Sequence, residues 1–513
     1  MADSKLKEHS RKNEEISKTE WDIYQYIVHN QKENYDDVLA GEKRWKVFYH
    51  LSEMRTSILN WYDFKKNASV LEIGAGFGAI TSMLCRRAES VTAVEKSAMR
   101  ADAIRVRCHK YNNLTVYAEN VEKLRMEKQF DYVIFTGAIC DASSEKPPEE
   151  QLFYYMQMSR KWLKEAGILI CAVENYNGAK YLCGYPRPVQ GSINENECEA
   201  MITRKSLQKM VKKAGFTNSR FYYPFPDYKL AQEIYTDEKL PKGSVKDRVL
   251  TYYVLPDQLC KNEHYLYENE IEKGDIRNIC NSYLLECSDE ALSPEIDYVA
   301  LSTDRGREHG FATMLQKTLV VKTALYEEGK KHLRKSYENI LELQKAGLQT
   351  VPHVYQEDKL IMPLVKSPKL VDALPLLAEE NVEKFVQVMD ELYDCIMRSS
   401  DREEKEGSVY LKNGYIDMVP LNCFIEDGKY YFFDQEFCEK NCPVSYIMFR
   451  VLRYTYLTYP NLEQYIRLEK MKERYRLQAD WQSYLSKEDE FIWDNRQHRV
   501  NHSFYEWIAN GMI

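Results

Sequence analysis

The sequence predicts an α/β protein: a parallel sheet with crossover helices in the first half, then an α+β unit and a short helical tail. Three observations predict this. Apolar strand-like runs alternate with helical stretches from Ser69 to Asn175, the pattern of a parallel sheet. The first run leads into a glycine turn, VLEIGAGFG, that opens a helix. From about Asp297 strand signals return and are interrupted by long helices.

Each element follows from its local pattern. Residues 1–34 form a charged, frayed start that turns helical. Trp21 to Trp61 is helical, with Tyr24, Ile27 and Val28 on one face and Phe48, Leu51 and Ile58 on another. SVLEIGAGFGAITSML reads as strand, turn and helix. AESVTAVEKS, LTVYAEN and FDYVIFTG are the next strands. A helix from Gln151 to Leu163 leads into a fifth strand, GILICAVEN, and residues 203–216 form another helix ended by Ala214-Gly215. The aromatic, proline-broken FYYPFPDYKL marks the edge of a first domain spanning 35–227, and residues 228–290 read as a linker or subdomain. A second domain spans 291–460, with strands in DYVALST, TLVVKTAL and KLIMPLV and helices over Glu327–Ala346 and Glu379–Met397. It includes the strand-rich block GYIDMVPLNCFIEDGKYYFFDQEF, whose hairpin turns at Asp427-Gly428. Residues 461–513 form the helical tail.

Composition bounds the function. A chain of 513 residues exceeds one ordinary core, so two or three domains are expected. Hydrophobic residues at 44% and charged residues at 29% fit a globular chain. The net charge is -8 with no basic block, which argues against a nucleic-acid partner. The polar start MADSKLKEHSRKNEE is no secretory signal, and no apolar run is long enough to span a bilayer. The 13 cysteines show no zinc-site spacing, so reduced thiols in a cytoplasmic protein are expected.

The glycine turn is the first candidate site. Gly74, Gly76 and Gly78 follow the apolar residues Val70, Leu71 and Ile73, with Glu72 inside the strand and Ala75 inside the turn. Glycine lets a cofactor approach the backbone. Glu95 ends the second strand, where a carboxylate can accept ribose hydroxyls. Glu119 and Asn120 end the third, where adenine contacts are expected. A dinucleotide fingerprint would fit only with alanine, Ala79, in its last position. The E-x-G-x-G-x-G form resembles class I S-adenosylmethionine-dependent methyltransferases of Rossmann-like fold. AVENYNGAKY followed by RFYYPFPDYKL is similar to bacterial methyltransferases found with surface-polysaccharide genes, over residues 35–240. The acceptor candidates are Tyr35, Asp141, Glu174 and Asn175, beyond strand ends where ligands bind in open α/β sheets. Arg44 and Arg55 suit an anionic acceptor, although solvated helix faces explain them better.

The second candidate site is a spaced set. Asp417 precedes Asn422 by five positions, Asp434 ends an apolar run with Glu436 two residues on, and Lys322 sits on a strand before a helix carrying Glu338. Phosphoryl transfer gives each a task. Lys322 holds the α- and β-phosphates of ATP, and Glu338 pairs with it. Asp417 takes the proton of the attacking hydroxyl, and Asn422 and Asp434 hold magnesium. With Pro420 between the Asp and the Asn, the loop resembles that of aminoglycoside and choline kinases within the protein-kinase-like fold. Tyr415 and Ile416 replace that family's usual pair before the catalytic Asp, and STDRGREHG is a loose substitute for a glycine-rich loop.

Together the halves resemble the bifunctional kinase–methyltransferase chain terminators of polymannose O-antigen synthesis, over roughly residues 20–500. The resemblance implies S-adenosylmethionine and magnesium-ATP as cosubstrates, a glycan acceptor and peripheral association with a polysaccharide-synthesis complex. The long coiled coil of that family is missing here. Two other readings stay open. One is a monofunctional methyltransferase whose second half is a binding or scaffold module. The other is an enzyme that methylates and phosphorylates a small molecule or lipid carrier.

Overall fold

The computed structural model describes residues 17–30, 34–124, 126, 129–137, 146–187, 200–242, 245, 262–274, 276–292, 295–405, 407–495 and 499–509. The chain divides into two compact units, Met1–Thr303 together with Arg499–Ile513, and Asp304–His498.

The first unit is built on strands β1 (Ser69–Ile73), β2 (Ser90–Glu95), β3 (Leu114–Ala118), β4 (Phe130–Thr136), β5 (Leu163–Glu174), β6 (Asn218–Phe225), β7 (Glu233–Thr236), β8 (Ser282–Ser288) and β9 (Tyr298–Leu301). They lie in the order β3-β2-β1-β4-β5-β8-β6-β7-β9. From β3 to β5 every pairing is parallel. From β5 outward every pairing is antiparallel. Strand β1 is buried along its whole length, as expected of a parallel strand covered on both faces. The order 3-2-1-4-5 is that of a doubly wound nucleotide-binding sheet. The antiparallel β8 between β5 and β6 departs from the dinucleotide order, in which the sixth strand follows the fifth directly. The strand order reverses at β1, so the crevice at its carboxyl end is the expected ligand site.

The boundaries differ from the sequence expectation. The first unit does not end at residue 227, and 228–290 is not a linker, because it supplies β7 and the interior strand β8. All seven residues of β8 are buried, so the strand has no alternation to mark it, and its Glu286 reads as polar. That carboxylate accepts from the hydroxyls of Tyr62 at 2.5 Å and Tyr222 at 2.8 Å, which satisfies it inside the sheet. Nor do residues 461–513 form one tail. The helix Arg499–Ala509 belongs to the first unit, where Phe504 stacks on Phe48 with ring centroids 3.7 Å apart. Residues 461–498 belong to the second unit.

The second unit begins with four antiparallel strands, β10 (Phe311–Gln316), β11 (Leu319–Ala324), β12 (Val354–Gln356) and β13 (Lys359–Pro363), ordered β12-β13-β11-β10. The helix Lys330–Lys345 packs on them through Leu333, beside Phe311 and Leu360. Helices Leu370–Glu380 and Val382–Arg398 replace the single helix expected over 379–397. Asn381 separates them: its backbone is extended and its side chain caps the second helix by accepting from the Glu383 N–H. Phe385, Met389, Leu392 and Ile396 recur at helical spacing and are buried. Strands β14 (Arg402–Lys405) and β15 (Ser408–Tyr415) follow, then the hairpin β16 (Cys423–Glu426) and β17 (Lys429–Phe432), then β18 (Cys438–Pro443). The hairpin turns at Asp427-Gly428, both with positive φ, which is what a two-residue Asp-Gly turn requires. The buried helix Val444–Thr458 closes this core.

Candidate active site

The glycine turn and the strand ends converge on one open cleft of about 950 Å³ including its mouth. Glu72, Gly74, Ala75 and Gly76 line it from the end of β1, Glu95 from β2, Glu119 and Asn120 from β3, and Thr136 from β4. All three turn glycines have positive φ, between 57° and 79°. Gly78 is not part of the lining. Its left-handed conformation starts the helix Ala79–Arg87, where a Cβ would come within 3.3 Å of Ile104.

Glu95 organises the turn. One carboxylate oxygen accepts from the Gly76 N–H at 2.8 Å and the other from the Ser97 N–H at 3.1 Å. Glu72 is buried and accepts from the Thr81 hydroxyl at 2.6 Å. Burial pushes its pKa up to about 7, against the pull of Thr81 and Arg55. Glu119 is half-buried and accepts from the Asn120 N–H.

Sequence reasoning missed much of the remaining lining, Tyr49, His50, Lys96, Arg100 and Tyr155. Arg55 corrects an expectation. It is buried and is no solvated helix face. Its Nη2 donates to the backbone oxygen and the hydroxyl of Thr136 at 2.8 and 2.9 Å, and the guanidinium lies over the Tyr49 and Tyr228 rings. Its Nη1 is buried without a hydrogen-bond partner, and the residue is among those that line the cleft. Arg44, by contrast, pairs with Glu42 and Asp22 near the surface.

The other acceptor candidates are placed in the interior. Tyr35 is buried under the Arg107 guanidinium. Glu174 is buried against Lys180 and Lys229. Burial alone would raise its pKa, but the two ammonium groups hold it well below the ordinary carboxylate range. Asn175 donates to the backbone oxygens of Asn278 and Cys280. These three build the unit, and none lines the cleft. Asp141 lies outside the described residues.

In the second unit Asp417, Asn422, Asp434 and Glu436 line a cavity of about 470 Å³ including its mouth, with Arg305, Arg450 and Tyr454. Lys322 reaches Asp434 at 2.7 Å and also pairs with Glu436. Burial opposes its charge, yet the two carboxylates hold its pKa above the ordinary value. The Asn422 amide donates to the backbone oxygens of Asp417 and Asp434. Asp434 has φ 52°, a left-handed conformation uncommon outside glycine. Glu338 does not join them. It is exposed and pairs with Arg334 and Lys335. The buried stripe of its helix runs through Leu333, Ser336, Ile340 and Leu343. Two residues before Ile340, Glu338 falls on the far side. Asn339 faces inward instead and donates to the Gln435 backbone oxygen. Arg450 was also missed. A lone arginine in YIMFRVL is the signal, and it sits buried between Asp417 at 3.4 Å and Glu488 at 2.9 Å. Asp417 further accepts from the Phe437 N–H.

Comparison with known proteins bears on part of the first unit. Residues 70–167 match the family model of a methyltransferase domain. The N-terminal part of the chain therefore carries a methyltransferase domain of Rossmann-like α/β fold. Two curated relatives are ribosomal RNA small subunit methyltransferase A of Fusobacterium nucleatum, 27% identical over 151 residues, and its namesake from Bacillus licheniformis, 26% identical over 167. They cover 26% and 28% of this chain, which spans 57% and 56% of their lengths. Among solved structures, phosphoethanolamine N-methyltransferase 1 of Haemonchus contortus is 13% identical, with a TM-score of 0.31 over 53% of this chain and 50% of that one. A methyltransferase from Archaeoglobus fulgidus is 15% identical, with a TM-score of 0.29 over 47% and 93%. Among the described residues no helix is long and apolar enough to cross a membrane.

Proposed function

We propose that the first unit transfers a methyl group from S-adenosylmethionine, and that the second is a kinase-like unit taking magnesium-ATP. Together they modify a cell-surface polysaccharide or its precursor. The observation that carries the first part is the cleft itself, in which the left-handed glycine turn, Glu95 and the ends of β3 and β4 face one space. The residues fit the donor. Gly76 has no side chain to fill the cradle, Glu95 offers acceptors to ribose hydroxyls, and the unpartnered Arg55 Nη1 offers a donor to a carboxylate. The bound donor supplies an electrophilic methyl carbon on sulfur. The chain's task is to hold an acceptor in line with that bond and to exclude water, so positioning supplies much of the rate.

In the second unit, Asn422 and Asp434 are the magnesium candidates and Lys322 the phosphate candidate, now tied to Asp434 and Glu436. A monofunctional methyltransferase with a binding module in this place is the second reading. It is favoured by Asp417, whose carboxylate already faces the Phe437 N–H and Arg450. Magnesium-dependent ATP binding that is lost in Asp434→Ala supports the kinase reading, and absence of ATP binding supports the module. Methyl transfer from labelled S-adenosylmethionine to a mannan-type glycan, with ribosomal RNA as the competing acceptor, tests the substrate class.

A further inference from the structure

Outside both clefts, three potential metal ligands meet in the second unit. One ligand atom each from Glu308, His309 and His332 lies within 4.8 Å of the other two. Glu308 and His309 belong to the short helix Gly306–His309, and His332 to the helix Lys330–Lys345. His309 is 9% exposed, and its Nδ1 is buried with no hydrogen-bond partner. The His332 Nε2 is likewise buried and without a hydrogen-bond partner. A buried ring nitrogen is normally paired, so two unpaired ones side by side call for an occupant. The two rings lie 4.5 Å apart between centroids, and the Phe437 ring covers His309 at 5.0 Å.

The carboxylate is set for the same point. One oxygen of Glu308 is held by Lys331 at 2.7 Å, and the other lies 3.8 Å from the His332 Nε2. In a tetrahedral site with bonds of about 2.0–2.1 Å, ligand atoms are about 3.3 Å apart. From separations of up to 4.8 Å, the three groups would close by side-chain rotation around an ion.

We infer that Glu308, His309 and His332 form a binding site for a zinc-class divalent metal ion, with a fourth position left for water. Two imidazoles and one carboxylate suit a borderline metal rather than magnesium, which prefers oxygen ligands. The ion would tie the Gly306–His309 turn to the helix Lys330–Lys345. Arg305, next to that turn, lines the second unit's cavity and pairs with Glu436. The site thus fixes a cavity wall whether or not that cavity binds ATP.

Cobalt(II) titration of the full-length, metal-stripped chain tests this. The expected result is one visible-absorbing cobalt per chain, displaced by zinc and lost in His309→Ala and in His332→Ala. Circular dichroism and melting of the metal-free variants show that they fold. Glu308 is exposed, so Glu308→Gln leaves the fold intact and is expected to raise the Kd at least tenfold. No cobalt uptake, or uptake unchanged in the histidine variants or in Glu308→Gln, would overturn the site.

Discussion

At the residue scale, the proposed methyl-donor cleft rests on backbone conformations that only certain side chains allow. Gly76 has φ 57° and its N–H is held by Glu95. An arginine there would be strained and would fill the cradle. Gly76→Arg is expected to lower S-adenosylmethionine affinity at least a hundredfold by calorimetry, while the chain stays folded. Glu72 gives a pH signature. Its folded pKa of about 7 lies above the ordinary 4.5, so the folded state binds the proton more tightly than the unfolded state. Stability from this group is full below pH 4.5 and is lost as pH rises through 7. The span is on the order of 3 kcal/mol. Unfolding free energies between pH 5 and 8 should therefore fall less steeply for Glu72→Gln than for the wild type. Parallel pH profiles would contradict the burial argument. These residues were legible because strand, glycine turn and acid occur at short spacing along the chain. Arg55 was not, because its role depends on Thr136 and Tyr228, which the fold brings to it from far along the sequence.

At the element scale, the helix Arg499–Ala509 is part of the first unit although it is the last helix of the described chain. Stacking of Phe504 on Phe48, with the Gln232 amide donating to the Tyr505 hydroxyl, ties it there. Removing a buried aromatic ring leaves a cavity, so Phe504→Ala should destabilise the first unit by about 3 kcal/mol in denaturant titration. An effect under about 0.5 kcal/mol would show that the helix does not support the unit. Strands β1 to β5 could be read directly, since apolar runs alternate with helices along one stretch of chain. Strand β8 could not, because it pairs with β5 and β6 across more than a hundred and more than sixty residues respectively, and pairing at that distance leaves no local mark. In the second unit, Lys322, Asp434 and Asp417 were named from spacing, but the partner of Lys322 was misassigned. Only the rotation of the helix Lys330–Lys345 shows that Glu338 points away and that Glu436 takes its place.

At the scale of the whole molecule, two compact units each hold a polar cavity of different chemistry. A ligand that binds only a folded unit raises the stability of that unit, by about 2.7 kcal/mol at a hundred times its Kd. Two units of this size need not unfold together. Calorimetric melting is therefore expected to show S-adenosylmethionine moving the first unit's transition, and magnesium-ATP moving the second unit's if the kinase reading holds. The measurement that bears most directly on the central claim is isothermal calorimetry with S-adenosylmethionine on the full chain and on Gly76→Arg. The account predicts one site per chain in the wild type and none in the variant. Equal affinity in both, or no binding to the wild type, would contradict the assignment of the glycine turn as the methyl-donor site.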